Sequence, residues 1–314
     1  MSKSTEVFNP AQQEVLKQLG ALPKDRPTFS GGLGADLRST LEKKIENHLA
    51  DLPTGEDLFL SKHRLTQVHG CETKFLAEEA EDFVWRVPIA RGTIVHKAIE
   101  LSINWRREIE PGNLIDEAIS RFEEDSGNFG HWLRGCDEIE RAELRSQSLD
   151  TFTKFLECWP PLKPAWRPVT ESRIRADLCN DRLILAGKVD LTLGVAQGEQ
   201  AGKVIVDFKT GTFTPTHHED LRYYALVETL RIGIPPRLVA SYYLDKASFV
   251  PENITEELLD STVMRIIKGV ERLIALIYKK EPPGLSPGPS CRWCSLLNDC
   301  KTGQEYGEIY DSDH

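Results

Sequence analysis

The sequence predicts an α/β domain built on a mixed sheet. Two observations carry this. Apolar residues recur at helical spacing through most of the chain up to about residue 157, where PPLKP (160–164) breaks the pattern. The chain beyond it then reads strand, strand, strand, helix, strand, long helix.

The elements follow in order. Residues 8–20 (FNPAQQEVLKQLG) read as a short helix, and the Pro-, Gly- and Ser-rich 23–34 as a loop or linker. In 35–50, Leu37, Leu41, Ile45 and Leu49 form one narrow apolar helical face. Residues 61 to about 157 read as mainly helical. Within them, 90–107 carries Ile94, Val95, Ala98, Ile99, Ile103 and Trp105, and 138–157 forms a further helix. Residues 168–178 and 182–194 read as an antiparallel hairpin turning at Cys179, Asn180 and Asp181. After the turn GEQAG (198–202) comes a central strand at 203–209, with an apolar run suited to burial on both faces. Residues 217–233 predict an amphipathic helix, 237–245 a fourth strand and 254–279 a long helix. The tail after Pro282 is irregular and carries cysteines. We expect residues 1–60 to be a helical extension with a linker, and 61–314 to form one unit.

Composition excludes several classes. The 314 residues are 40% hydrophobic and 28% charged, within the range of globular proteins. No apolar run approaches the ~20 residues needed to span a bilayer, and the N-terminus lacks a signal-type apolar core. The expected location is therefore the cytoplasm. A net charge of −10 argues against a generally basic nucleic-acid coat but permits a local basic groove. Seven cysteines, an odd number in a reducing compartment, point to metal ligation before disulfides.

The segments GKVDLTLG and VIVDFKTG carry chemistry together. Asp190 and Asp207 fall late in consecutive strands, and pairing of those strands would bring both carboxylates near one another. Two such carboxylates repel unless a cation lies between them, and oxygen ligands suit Mg²⁺ or Mn²⁺. Lys209 shares the parity of Asp207, so both side chains leave one face of the strand. A lysine there can orient a water and stabilise charge on a scissile phosphate. By itself an Asp-x-Lys is an ordinary strand end; Asp190 on the preceding strand makes the pair informative.

These segments resemble the PD-(D/E)XK nuclease superfamily, in its RecB-like exonuclease branch, which includes the RecB and AddB nuclease domains and CRISPR-associated RecB-like exonucleases. GTIVH matches the branch's upstream G-x-x-x-H element and places its histidine at His96. The resemblance implies a restriction-endonuclease-like core. It implies metal binding by His96, Asp190, Asp207 and the carbonyl of Phe208, with Lys209 as the catalytic lysine. The branch's Gln-x-x-x-Tyr element falls on Asp220 and Tyr224: the tyrosine fits and the acid departs, which puts the usual substrate contact there in doubt. Tyr224 is still expected to line the site. Glu100 is a candidate to orient His96, Glu171 a further acidic candidate, and Arg222 a phosphate contact. A DNA track would draw on Arg64, Lys74, Arg86, Arg91, Lys97, Arg106 and Arg107.

PSCRWCSLLNDCK holds Cys291, Cys294 and Cys300, three thiols that lack a fourth. Iron–sulfur members of the branch carry one cysteine upstream of the histidine helix and three near the C-terminus. That resemblance assigns a [4Fe–4S] cluster to Cys71, Cys291, Cys294 and Cys300. Structural zinc is the rival, although paired C-x₂-C knuckles would suit it better and one pair is present. Cys136, Cys158 and Cys179 read as ordinary thiols. The resemblance thus implies a metal-dependent DNA exonuclease acting on single-stranded ends, in repair, recombination or defence. The alternative is a non-catalytic DNA-binding or scaffold subunit. No G-x-x-x-x-G-K-[ST] motif occurs, so a helicase partner would be a separate protein.

Overall fold

The computed structural model describes residues 7–105 and 108–312. The chain opens with α1 (Pro10–Leu19) and α2 (Leu33–Leu49), then a short strand β1 (Leu58–Leu60). After β1 come α3 (Lys62–Val68), α4 (Glu72–Ala80), α5 (Val87–Asn104) and α6 (Pro111–Glu124). Next come α7 (Asn128–Gly135) and α8 (Glu138–Cys158). The sheet continues with β2 (Val169–Leu178), β3 (Leu183–Leu193) and β4 (Val204–Lys209). α9 (Thr216–Ile232), β5 (Leu238–Tyr243) and β6 (Ser248–Asn253) follow, then α10 (Glu256–Ile277) and α11 (Lys301–Ser312).

The sheet is mixed. β2 and β3 form the expected antiparallel hairpin, β3 and β4 are antiparallel, β4 and β5 parallel, and β5 and β6 antiparallel. β2 runs along β3 from Leu183 to Thr192. β3's other edge is therefore shared between β1, parallel at Leu183–Leu185, and β4, at Leu191–Leu193. Between them that edge is unpaired, and β3 and β4 diverge beyond the Leu191–Val206 pair. The next residue outward on each strand is Asp190 or Asp207.

Alternation along β4 sorts side chains between two apolar layers. Val204, Val206 and Phe208 face α1 and α5–α8, while Ile205 joins the layer made by α2, α9 and α10. Asp207 and Lys209 share the parity of Ile205, so they project towards α9. Leu41 and Ile45 of α2 are fully buried in that second layer, and Leu58 and Leu60 of β1 lie beside them. Residues 33–60 thus supply both core and sheet.

Three expectations need adjusting. Residues 217–233 are not amphipathic in place: every side chain from Tyr223 to Leu230 is buried, because α9 lies between the sheet, α2, α3 and α10. The fourth strand stops at Tyr243 and turns through Leu244–Lys246 into β6, which has no counterpart in the sequence reading. Pro251 masks β6 as a strand and is tolerated there because β6 is an edge, paired to β5 alone. β1 has three residues, too few to show a period. Among the described residues, no helix is long and apolar enough to cross a membrane.

Candidate active site

The fork between β3 and β4 gathers side chains from six elements, β2, β3, β4, α3, α5 and α9. Asp190 accepts the Phe208 backbone N–H at 2.7 Å through Oδ2 and faces His96 Nδ1 at 3.3 Å through Oδ1. His96 reaches the fork because α5 packs closely on the end of β4: a Cβ on Gly92 would stand 3.1 Å from Thr210 Oγ1. Burial disfavours charge on His96. The carboxylates of Asp190, Asp207 and Glu171 outweigh it and lift the imidazole to about 9.

Glu171 enters through a backbone irregularity. The β2–β3 register would set it opposite Asp190, yet both drop out of the ladder, and Glu171 adopts a left-handed φ of 53°. Such strain in a non-glycine residue is held by its surroundings and clusters at functional sites. His96, Glu171 and Asp190 each present a ligand atom within 4.8 Å of the others, and this is the one such group of three among the described residues. Burial raises the Glu171 pKa, and the ion pair with Lys188 opposes that shift.

Asp207 is 2% exposed and held differently. Lys62, the first residue of α3, donates to Oδ1 at 2.9 Å. Lys209 Nζ forms an ion pair with Oδ2 at 2.7 Å. Burial would raise the Asp207 pKa; Lys62 and Lys209 overcome it and hold the carboxyl below its ordinary range. Asp220 closes the group, 3.7 Å from Lys62 and 3.5 Å from Lys209. Two ammonium groups therefore face two carboxylates.

Tyr224 is buried beside the same group. Its hydroxyl donates to the Lys188 carbonyl at 2.6 Å, and Lys62 Nζ sits 4.6 Å from its ring centroid. The ring needs Gly187, since a Cβ there would lie 2.5 Å from Tyr224 Cε1. His217 hydrogen-bonds the Tyr243 hydroxyl at 2.8 Å; burial and then the nearby Lys209 lower it to about 4, so it is neutral at pH 7.

A separate cluster forms where the tail returns to α4. Cys71, the N-cap of α4, lines one small cavity with Cys291, Cys294 and Cys300. Gly288 N–H points at Cys291 Sγ and Gly303 N–H at Cys300 Sγ, both at 3.4 Å. The bidentate Glu72–Arg272 pair, with Gly284 N–H on Glu72 Oε2, fastens the tail to α4. Among the described residues, none of the seven cysteines is in a disulfide.

A sequence model of the PD-(D/E)XK nuclease superfamily matches residues 60–301, which span the fork and the cysteine cluster. The chain belongs to the PD-(D/E)XK nuclease superfamily. No curated protein matches it. Among solved structures, a Eubacterium rectale protein provisionally named an exonuclease is 9% identical, with TM-score 0.47 over 84% of this chain and 92% of that one. The protein SSO0001 is 12% identical, with TM-score 0.34 over 86% and 97%. Scheffersomyces stipitis Rai1 is 11% identical, with TM-score 0.26 over 90% and 76%. At these scores the likenesses assign no substrate.

For a PD-(D/E)XK nuclease, the residues at the fork suit a divalent cation. The donor set is the His96 imidazole with the carboxylate oxygens of Glu171 and Asp190, and the ion-paired Asp207 lies beside them. Of the expected residues, His96, Asp190, Asp207, Lys209 and Tyr224 converge, and Glu171 joins them. Phe208 contributes its N–H to Asp190, while its ring packs on Phe155, Trp159 and Tyr242. Glu100 pairs with Lys97 instead of His96, and Arg222 is bound by Glu219 and Glu252. Arg64, Lys74 and Arg91 are engaged by Glu79, Glu78 and Asp245. Arg106 and Arg107 lie outside the described residues. Lys62 and His217 had no place in the sequence reading. Ser61 marks a helix start before Lys62, but nothing local connects that helix to Asp207.

Proposed function

We propose that this PD-(D/E)XK nuclease is a RecB-like, Mn²⁺- or Mg²⁺-dependent deoxyribonuclease that removes nucleotides from single-stranded DNA ends, in repair, recombination or defence. The observation that carries it is the strand fork, where His96, Glu171 and Asp190 present ligand atoms within 4.8 Å of one another and the buried Asp207 stands beside Lys209. His96, Glu171, Asp190, Asp207 and the Phe208 carbonyl would hold the metal. When bound, the metal lowers the pKa of a water and polarises the phosphate. Lys209 orients the attacking water and steadies charge on the phosphate; Lys62 and Asp220 hold Lys209 and Asp207 in register. Tyr224 walls the pocket against bulk water.

Preference for single strands follows the resemblance to RecB-like exonucleases, and the half-exposed Phe213, four residues beyond Lys209, offers a ring on which an unpaired base can stack. The second metal group is a [4Fe–4S] cluster on Cys71, Cys291, Cys294 and Cys300. What supports it is that the four cysteines, one upstream and three in the tail, share one cavity. The cluster's part would be mechanical, clamping the tail to α4.

The test is hydrolysis of end-labelled single-stranded, double-stranded and circular DNA with Mn²⁺ or Mg²⁺, beside Lys209→Ala and Asp190→Ala. Linear single strands should be degraded and circles spared, with each variant slower by about 10²–10³. Unchanged activity in both variants would sink the site. An inert wild type with metal present would favour a DNA-binding scaffold.

A further inference from the structure

A cavity of about 430 Å³ lies at the far end of β4 from Asp207, between the C-terminus of α1, Trp166 and the starts of β4 and β5. Its lining includes Arg26, Arg167 and Arg237 and no acidic residue. Arg237 is 8% exposed, so more than nine-tenths of it is buried. One Nη of its guanidinium donates to the Leu19 carbonyl, and its Nε has no partner. The Nε of Arg26 is likewise buried without a partner. Among the described residues, none of these three arginines is paired with a carboxylate.

Burial of cations is costly unless opposite charge compensates it. Here two guanidinium groups instead stand near each other: burial, and then Arg26, lower the Arg237 pKa. Among the described residues, the buried Glu228 is matched by Lys203 and the buried Asp207 by Lys62. We propose that this cavity is a second anion site, which binds the phosphate of a nucleotide on Arg26 and Arg237. Guanidinium forks match phosphate oxygens. Trp166 adds a flat aromatic wall for a base, and the volume lies in the range of small-ligand pockets. The backbone N–H of Arg237 is spent on the Lys203 carbonyl, which places the site about 13 Å along β4 from Asp207. The ligand class follows from the arginines and stands whether or not the fork cleaves DNA.

The same phosphate chemistry can come from a free nucleotide or from a nucleotide within a strand, and calorimetry in EDTA separates them. Wild type is titrated with deoxyadenosine monophosphate and with a short single-stranded oligonucleotide, beside Arg26→Ala, Arg237→Met and Trp166→Ala. Arg26→Ala should weaken the monophosphate at least tenfold if the site takes free nucleotide. It should weaken the oligonucleotide alone if the site holds a strand. Trp166→Ala should weaken nucleotide more than inorganic phosphate. Arg237→Met risks the fold, so the partly exposed Arg26 decides if that variant melts early. Wild type binding neither probe, or Arg26→Ala binding both as wild type does, would overturn the proposal. A wild type that binds nucleotide here yet cleaves no DNA would keep this site and refute the nuclease reading alone.

Discussion

Lys62→Met removes one of the two ammonium groups facing the buried Asp207 carboxylate. Lys62 Nζ stands 2.9 Å from Asp207 Oδ1 and 3.7 Å from Asp220 Oδ2. At an effective dielectric of about 20, the gross attraction to Asp207 is about 6 kcal/mol. Burying the ammonium offsets several kcal/mol of that, and deleting one partner of a buried pair costs about 3–5 kcal/mol in general. Lys209 stays as a second cation 2.7 Å from the other oxygen. The expected loss is therefore at the low end, about 3 kcal/mol. Urea unfolding at pH 7 in EDTA measures it. Because the lysines depress the Asp207 pKa, their stabilisation is present above the ordinary carboxylate range and lost as pH falls towards the folded pKa. The gap between variant and wild type should narrow in acid. A variant within about 0.5 kcal/mol of wild type at pH 7 would refute the account, since that is the scatter of ordinary surface changes.

Other outcomes follow from the same geometry. His96 titrates near 9 without metal, so a cation must displace its proton. Mn²⁺ affinity should rise about tenfold per pH unit from pH 6.5 to 8.5, and a pH-independent Kd would contradict this. The same raised pKa makes the metal-free protein lose on the order of 3 kcal/mol as pH rises from 6.5 through 9, visible as a falling urea midpoint. Gly187→Ala should cost about 1–3 kcal/mol by forcing Tyr224 aside, read by urea unfolding; an unshifted midpoint would show that the ring yields freely. Cys71→Ala should abolish the visible absorption of anaerobically purified protein. A colourless wild type with stoichiometric zinc would instead assign zinc to the four thiols.

Much of the fork was legible in local sequence. Parity alone placed Asp207 and Lys209 on one face of β4, and hairpin logic set β2 against β3. The four-residue step from Gly92 put His96 on the helix face that meets Thr210. These relations span a few residues, where covalent geometry dictates direction. Glu171 could be named but not aimed: its left-handed backbone is invisible in composition. The basic-track residues could be counted, but their carboxylate partners could not. Arg64 was a candidate for DNA until packing brought Glu79 to it.

What the sequence by itself determined is the chemistry available at each strand end: two aspartates, a lysine, a histidine and four cysteines that the family match takes in. What only the tertiary structure decided is who stands beside them. Lys62 meets Asp207 across 145 residues, and Arg237 reaches the Leu19 carbonyl across 218. Such contacts arise from how helices pack on the sheet. Short-range periodicity sets which face a side chain leaves by, and the packing of distant elements sets what it finds there.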